Sequence, residues 1–240
     1  MTPAPNPGTR APAHWRNDAL VVALGLMGLL GWDASGLDLA LIHAVGSSSG
    51  FAWRDTWWAS RLLHDGGRLL GGLTLVALVV NIWRPWWGGP SQRERVIWVL
   101  ITLACLLLVP ALKRISATSC PWDLQAFGGV ARYVSHWQFG VTDGGPGHCF
   151  PSGHAVAAFA FISGWFALRP HAPRAARWWL AGVLGFGLLF GGAQMLRGAH
   201  YPSHTMWSAW ICWTACALLS ALSSRGFSRP PAAPVPAASR

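Results

Sequence analysis

Six stretches of this 240-residue chain, 19–32, 69–83, 96–112, 144–168, 178–196 and 205–223, contain no Asp, Glu, Lys or Arg. A run of roughly 20 apolar residues spans the hydrocarbon of a bilayer, and a helix satisfies its own backbone there, so each stretch is read as a transmembrane helix. Several fall short of that length; flanking arginines that snorkel toward the interface make up the difference. Charged residues make up only 11% of the chain, roughly half the share of a soluble domain. Many of the seventeen Trp stand near the ends of the apolar runs (Trp32, Trp83, Trp98, Trp178, Trp179, Trp207), where an interfacial aromatic belt belongs. The formal charge of +10 comes from basic residues scattered singly or in twos and threes. That pattern flanks membrane segments and builds no face for nucleic acid.

The expected architecture is all-α, a six-transmembrane-helix membrane domain over 18–223 between disordered cytoplasmic tails at 1–17 and 224–240, both rich in Pro, Ala, Ser and Arg. The first segment follows Arg10 and Arg16, and Asp33-Ala34-Ser35-Gly36 after it offers no small-x-small cleavage site, so it reads as a retained anchor rather than a secretory signal. Arg10, Arg16, Arg84, Arg93, Arg95, Arg169, Arg174, Arg177, Arg225, Arg229 and Arg240 fall on one side of six alternating spans, and seven basic residues fall on the other. The positive-inside rule then puts both termini in the cytoplasm.

Three polar clusters share the opposite, extracytoplasmic face. The first, Lys113 to Trp122, follows the third span and contains the chain's one lysine. The second is His148-Cys149-Phe150-Pro151-Ser152-Gly153-His154. It is read as the N-terminus of the fourth span, where free N–H groups bind anions, Pro151 suits the first turn and Gly153 admits a ligand to the backbone. His154 titrates near neutrality and can protonate a departing oxygen. The third cluster, Gln194 to His204, joins the last two spans. There His200 stands at a helix mouth with His204 one turn on, an arrangement suited to a histidine nucleophile with one ring nitrogen attacking and the other held. Arg197 supplies a permanent positive charge for phosphoryl oxygens.

Across 96–223 the chain resembles the type 2 phosphatidic acid phosphatase superfamily, whose pattern is Lys, six residues, Arg-Pro; then Pro-Ser-Gly-His; then Arg, five residues, His, three residues, Asp. Pro151-Ser152-Gly153-His154 is intact, Lys113 and Pro121 are kept, and His200 is kept. Cys120, Gln194 and His204 stand where the pattern has Arg, Arg and Asp. The resemblance implies a helix bundle in which His200 is the nucleophile, His154 protonates the leaving group, and Lys113, Ser152 and Gly153 hold phosphate. Arg114 and Arg197 are placed to compensate for the missing arginines. His204 can accept the His200 N–H but lacks a carboxylate's charge.

The expected function is a metal-independent, cofactor-free phosphatase of the bacterial inner membrane, acting on a lipid-linked phosphomonoester or pyrophosphate through a phosphohistidine. Its partners would be that substrate and membrane lipids; the sequence sets no oligomeric state. The same site given another acceptor is a lipid phosphotransferase, and the three departures leave open a pseudo-enzyme that binds a lipid phosphate without turnover. A zinc site built from His200, His204 and nearby His or Cys residues would leave Pro-Ser-Gly-His and Lys113 without a role. A transporter finds no inverted repeat or pair of broken mid-membrane helices. Cys105, Cys212 and Cys216 are read as packing residues, while Cys120 and Cys149 lie on the oxidising face and either pair or remain free thiols.

Overall fold

The computed structural model describes residues 14–86 and 89–225. Its elements are α1 (Trp15–Ser35), α2 (Leu37–Val45), α3 (Trp58–Trp83), α4 (Gln92–Arg114), α5 (Val156–Leu168), α6 (Pro173–Leu196) and α7 (Pro202–Arg225), with no strand among the described residues. Five of them, α1, α3, α4, α6 and α7, are long and apolar enough to cross a membrane. The tails expected to be disordered fall, at 1–13 and 226–240, outside the described residues; the expected tail residues 15–17 and 224–225 are helical, in α1 and α7.

The fourth expected span differs most from its sequence reading. Residues 144–155 are loop and turn, and only the short Val156–Leu168 remains helical, with a 3-10 turn at Ala160–Ile162 inside it. Gly144, Gly145, Pro146 and Gly147 are uncharged, so hydropathy joins them to the helix, but they neither favour α-helix nor supply side chains to pack. The second span is longer than expected. Arg61, His64 and Asp65 interrupt the apolar pattern, yet Trp58–Asp65 is a π-helical turn that runs straight into the rest of α3.

Local signals explain the helix ends. Ser91 opens α4 with a capping box, its Oγ accepting the Glu94 N–H at 3.3 Å while Glu94 Oε2 accepts the Ser91 N–H at 2.6 Å. Proline occupies the first position of both α6 and α7. At the end of α6, Gly198 adopts φ 71°, its N–H donates to the Met195 carbonyl, and the Ala199 N–H donates to the Gln194 carbonyl. A Cβ at Gly198 would lie 2.3 Å from the Phe51 ring. Glycine alone satisfies both that φ and that contact, and the reversal delivers His200 directly to the mouth of α7.

The core joins α4, α5, α6 and α7 around Trp98, Cys105, Phe159, Ile162, Phe166, Cys212 and Cys216. With little hydrophobic drive between helices in lipid, small residues let them approach. A Cβ on Gly187 would fall 2.1 Å from the Phe159 ring, and one on Gly191 would fall 2.3 Å from Thr205 Cγ2. These glycines of α6 therefore set its spacing from α5 and from the first turn of α7.

Gly192, by contrast, has no neighbour within 4 Å of an added Cβ. Gly191→Ala is expected to destabilise the protein by about 1 to 3 kcal/mol through overpacking, whereas Gly192→Ala should be neutral or stabilise it by up to about 1 kcal/mol. Thermal unfolding of the two variants in the same detergent checks the difference.

Candidate active site

Lys113, His154, His200 and His204 meet at one end of the helix bundle, each delivered by a different piece of backbone: the last turn of α4, the turn before α5, the α6–α7 connection and the first turn of α7. Lys113 lies against the glycine of the second motif, since a Cβ on Gly153 would sit 3.5 Å from Lys113 Cδ and 3.8 Å from its Nζ. Any larger residue there would take the space beside the ammonium.

The helix N-terminus expected at Pro151 lies five residues later, at Val156. The Ser152 N–H donates to the His204 carbonyl at 3.1 Å, so it is not free for an anion. The Ser152 carbonyl accepts from Ser208 Oγ at 2.8 Å, which makes Ser152 a buried strut between the second motif and α7. The N–H groups of Gly153 and His154, in the tight turn that follows, have no partner among the described residues.

His200 and His204 are 4% and 1% exposed. Their Nδ1 atoms are 3.5 Å apart, and Cys149 Sγ lies at the same distance from His200 Nδ1. Since Nδ1 of His200 faces a neighbour, Nε2 is the nitrogen left for attack. Burial, followed by the positive charges of His204, Lys113 and His154, holds the His200 pKa well below the usual imidazole range. The ring is therefore neutral and nucleophilic at pH 7. Burial is also the first cause that pushes His154 down to about 4, with His64, Arg68 and Lys113 adding to it.

Cys120 and Cys149 form a disulfide with Cα atoms 5.1 Å apart. It joins the first motif to the second, and two backbone hydrogen bonds run alongside it, His148 N–H to Ser116 O at 2.8 Å and Cys149 N–H to Thr118 O at 2.9 Å. Buried Asp143 fastens the same loop by accepting the Ser119 N–H and Oγ–H and the Gly145 N–H. The two sulfurs and a His200 ring nitrogen lie within 4.8 Å of one another. As a disulfide neither sulfur is a thiolate, so this trio is a metal donor set only after reduction.

The arginines expected to compensate are placed differently from one another. Arg114 is exposed and makes no hydrogen bond or ion pair with the other candidate residues among those described. Arg197 donates from Nε to the Arg54 carbonyl at 2.8 Å and from Nη1 to Gln194 Oε1 at 3.3 Å. The second bond orients the buried Gln194 amide and leaves its Nε2 without a protein partner. A donor 2% exposed with no acceptor is costly, roughly 1 to 3 kcal/mol, unless a ligand meets it.

Sequence reasoning missed the groups that hold this assembly together. Asp38, from α2, accepts the Ser203 N–H at 3.0 Å, the Ser203 hydroxyl and Trp32 Nε1–H at 2.8 Å. Asp33 accepts from His136 Nε2 at 3.2 Å, Trp137 Nε1 at 2.9 Å and Trp207 Nε1 at 3.0 Å. His136 stacks on Phe150 with ring centroids 4.2 Å apart, and Phe150, Tyr201 and His136 enclose the His204 ring. His64 stacks on His154 with centroids 3.6 Å apart. The one sequence cue for these was polar side chains at the edge of an apolar run.

The family model of the PAP2 superfamily matches residues 94–227, more than half of the chain and all three motifs. The chain belongs to that superfamily, whose members are generally phosphatases or phosphoryl hydrolases, and with its apolar helices it reads as a multi-pass membrane protein. No curated protein and no solved structure matches it.

Replacing Asp38 by Ala removes an acceptor from the α7 N-terminus and strands the buried Ser203 hydroxyl. The expected loss is about 2 to 4 kcal/mol, a lost cap plus an unsatisfied buried group. Chemical denaturation in mixed micelles measures it, and Asp38→Asn should recover part of the loss.

Proposed function

We propose that this chain is an integral membrane phosphatase, built on six helices with α5 completing the bundle. It removes phosphate from a lipid-linked phosphomonoester or pyrophosphate through a phosphohistidine on His200, at the extracytoplasmic face of a bacterial inner membrane. The observation that carries the reading is the meeting of a neutral, buried His200 with Lys113, the Gly153–His154 turn and His204 at one end of the bundle.

In this reading the phosphate lies among Lys113, the Gly153 and His154 N–H groups and the unpaired Gln194 Nε2. His204 accepts the His200 Nδ1–H, and His200 Nε2 attacks phosphorus as the bond to the leaving oxygen breaks. His154 gives that oxygen a proton. Water then attacks phosphorus, the P–N bond breaks, and His154 takes the water's proton. His154 is neutral in the free protein at pH 7, but the negative charge of bound phosphate favours its protonated form. Arg197 acts through Gln194, and Arg114, exposed at the end of α4, is available only to charge outside this cradle.

A lipid substrate is supported by an apolar cleft of about 280 Å³ between α3, α5 and α6. Leu70, Gly71, Ala157, Phe161, Val183 and Phe190 line it. Ala157 stands in the first turn of α5, three residues past His154, so in this reading the cleft takes the hydrocarbon of the leaving group.

A second reading, a pseudo-enzyme that retains a lipid phosphate, is favoured by one observation. Cys120 is committed to a disulfide and Gln194 is neutral, so two positions that carry arginine in the pattern supply no charge.

Phosphate release from a panel of lipid phosphates and pyrophosphates, measured in detergent with EDTA present, separates these readings. Release that survives EDTA and falls by at least about a hundredfold in both His200→Ala and His154→Ala is expected; tight binding without release by the wild type favours the pseudo-enzyme. Gly182, which lines the cleft and has open space around it, provides a test of the lipid path. Gly182→Phe should raise KM for long-chain phosphates and leave short-chain esters unchanged.

A further inference from the structure

His64 lies outside the family match, 90 residues from His154, yet its ring lies over the His154 ring at 3.6 Å with 18° between planes. Its backbone carbonyl is 3.3 Å from His154 Nε2. A carbonyl only accepts, so Nε2 carries a proton whenever this bond is made, in the neutral ring as in the charged one. His64 is itself held, because its Nδ1 lies 2.8 Å from Asp65 Oδ1 and Arg61 Nη1 lies 3.5 Å from Asp65 Oδ2. All three belong to the π-helical turn that opens α3, where the Gly66 N–H reaches back to the Arg61 carbonyl. π-Turns of this kind recur at functional sites.

We propose that His64, braced by Asp65, is a positioning residue for His154: its carbonyl fixes the Nε2–H tautomer and its ring clamps the imidazole face, so that Nδ1 is the nitrogen that exchanges the catalytic proton. The inference rests on the reading of His154 as the acid. The Nδ1–H of the imidazolium goes to the leaving oxygen as the P–O bond breaks, leaving neutral His154 with its Nε2–H still on the His64 carbonyl. In the second half-reaction Nδ1 recovers a proton from the attacking water. The charged groups facing His154 are His64 and Arg68 of α3, Lys113 of α4 and, across the site, His200. All oppose a positive charge on His154. Replacing His64 by a neutral side chain removes one of these oppositions and raises the His154 midpoint, whereas the backbone carbonyl stays in every variant, so loss of the stacked ring acts on the tautomer by letting the imidazole turn away from that carbonyl.

NMR of histidine-labelled full-length protein in micelles, together with turnover of two esters, tests this. In the wild type His154 is expected as the Nε2–H tautomer with an acidic midpoint. His64→Phe, which keeps the stack, should retain the tautomer and shift the midpoint up; His64→Ala should give a mixed tautomer. With hexadecyl phosphate, whose alkoxide leaving group needs a proton, His64→Ala should lose more than about tenfold in kcat. It should lose less than about threefold with 4-nitrophenyl phosphate, whose leaving group does not. His64→Phe should recover most of the loss. Equal losses on both esters, or an unchanged His154 tautomer and midpoint in His64→Ala, overturn the proposal. If the wild type releases phosphate from neither ester nor any member of the lipid panel, the phosphatase reading fails, and the NMR comparison alone decides whether His64 sets the state of His154.

Discussion

The Asp38 carboxylate at the N-terminus of α7 is the contact on which the geometry of the site depends. The first N–H groups of any helix lack partners within it, and here one of them, on Ser203, is met by a side chain from α2. Ser203 is the residue before His204, so this contact fixes where α7 begins and which way its first turn faces. Asp33, in the last turn of α1 before the Gly36 break, draws His136, Trp137 and Trp207 onto the same end. Two carboxylates from the N-terminal part of the chain thus orient residues carried by its C-terminal part. Packing then follows in order: Gly191 admits Thr205, the Gly198 reversal sets His200 opposite His204, and the disulfide draws the first motif to the second.

The same arrangement sets the chemistry. Buried beside the His204 ring and the disulfide, His200 stays neutral, the form a nucleophile requires. Among buried groups such as His200, His204 and Gln194, each donor acts on phosphate more strongly than it would in solution. The departures from the superfamily pattern reduce positive charge without removing every donor. Gln194 keeps an N–H where arginine would stand, held toward its vacant side by Arg197. His204 keeps an acceptor where aspartate would stand, but at 3.5 Å and without negative charge.

Much of this was legible in the sequence, for physical reasons particular to each part. Long uncharged runs have one stable solution in lipid, so α1, α4, α6 and α7 are visible as hydropathy. Lys113, His154, His200 and His204 stand out because polar groups at membrane ends are few and their spacing matches a known pattern. The glycine-rich stretch before α5 misled, because absence of charge does not distinguish a loop tucked against helices from a helix in lipid. The start of α3 misled in the opposite sense, since Arg61, His64 and Asp65 break the apolar pattern without breaking the helix. Arg114 follows Lys113 in sequence, but one residue on a helix is a rotation of about 100°, and it emerges exposed. Contacts such as His64 with His154 or Asp38 with Ser203 join segments 90 and 165 residues apart, and no local spacing encodes them.

The central claim is a covalent phosphate on His200, and direct capture of that adduct tests it most plainly. Protein quenched in alkali during turnover of a lipid phosphate labelled in its phosphate group, then digested and sequenced by mass spectrometry, should carry an alkali-stable, acid-labile phosphate on His200 and nowhere else. Turnover with no labelled histidine, or a label that persists in His200→Ala, would contradict the account.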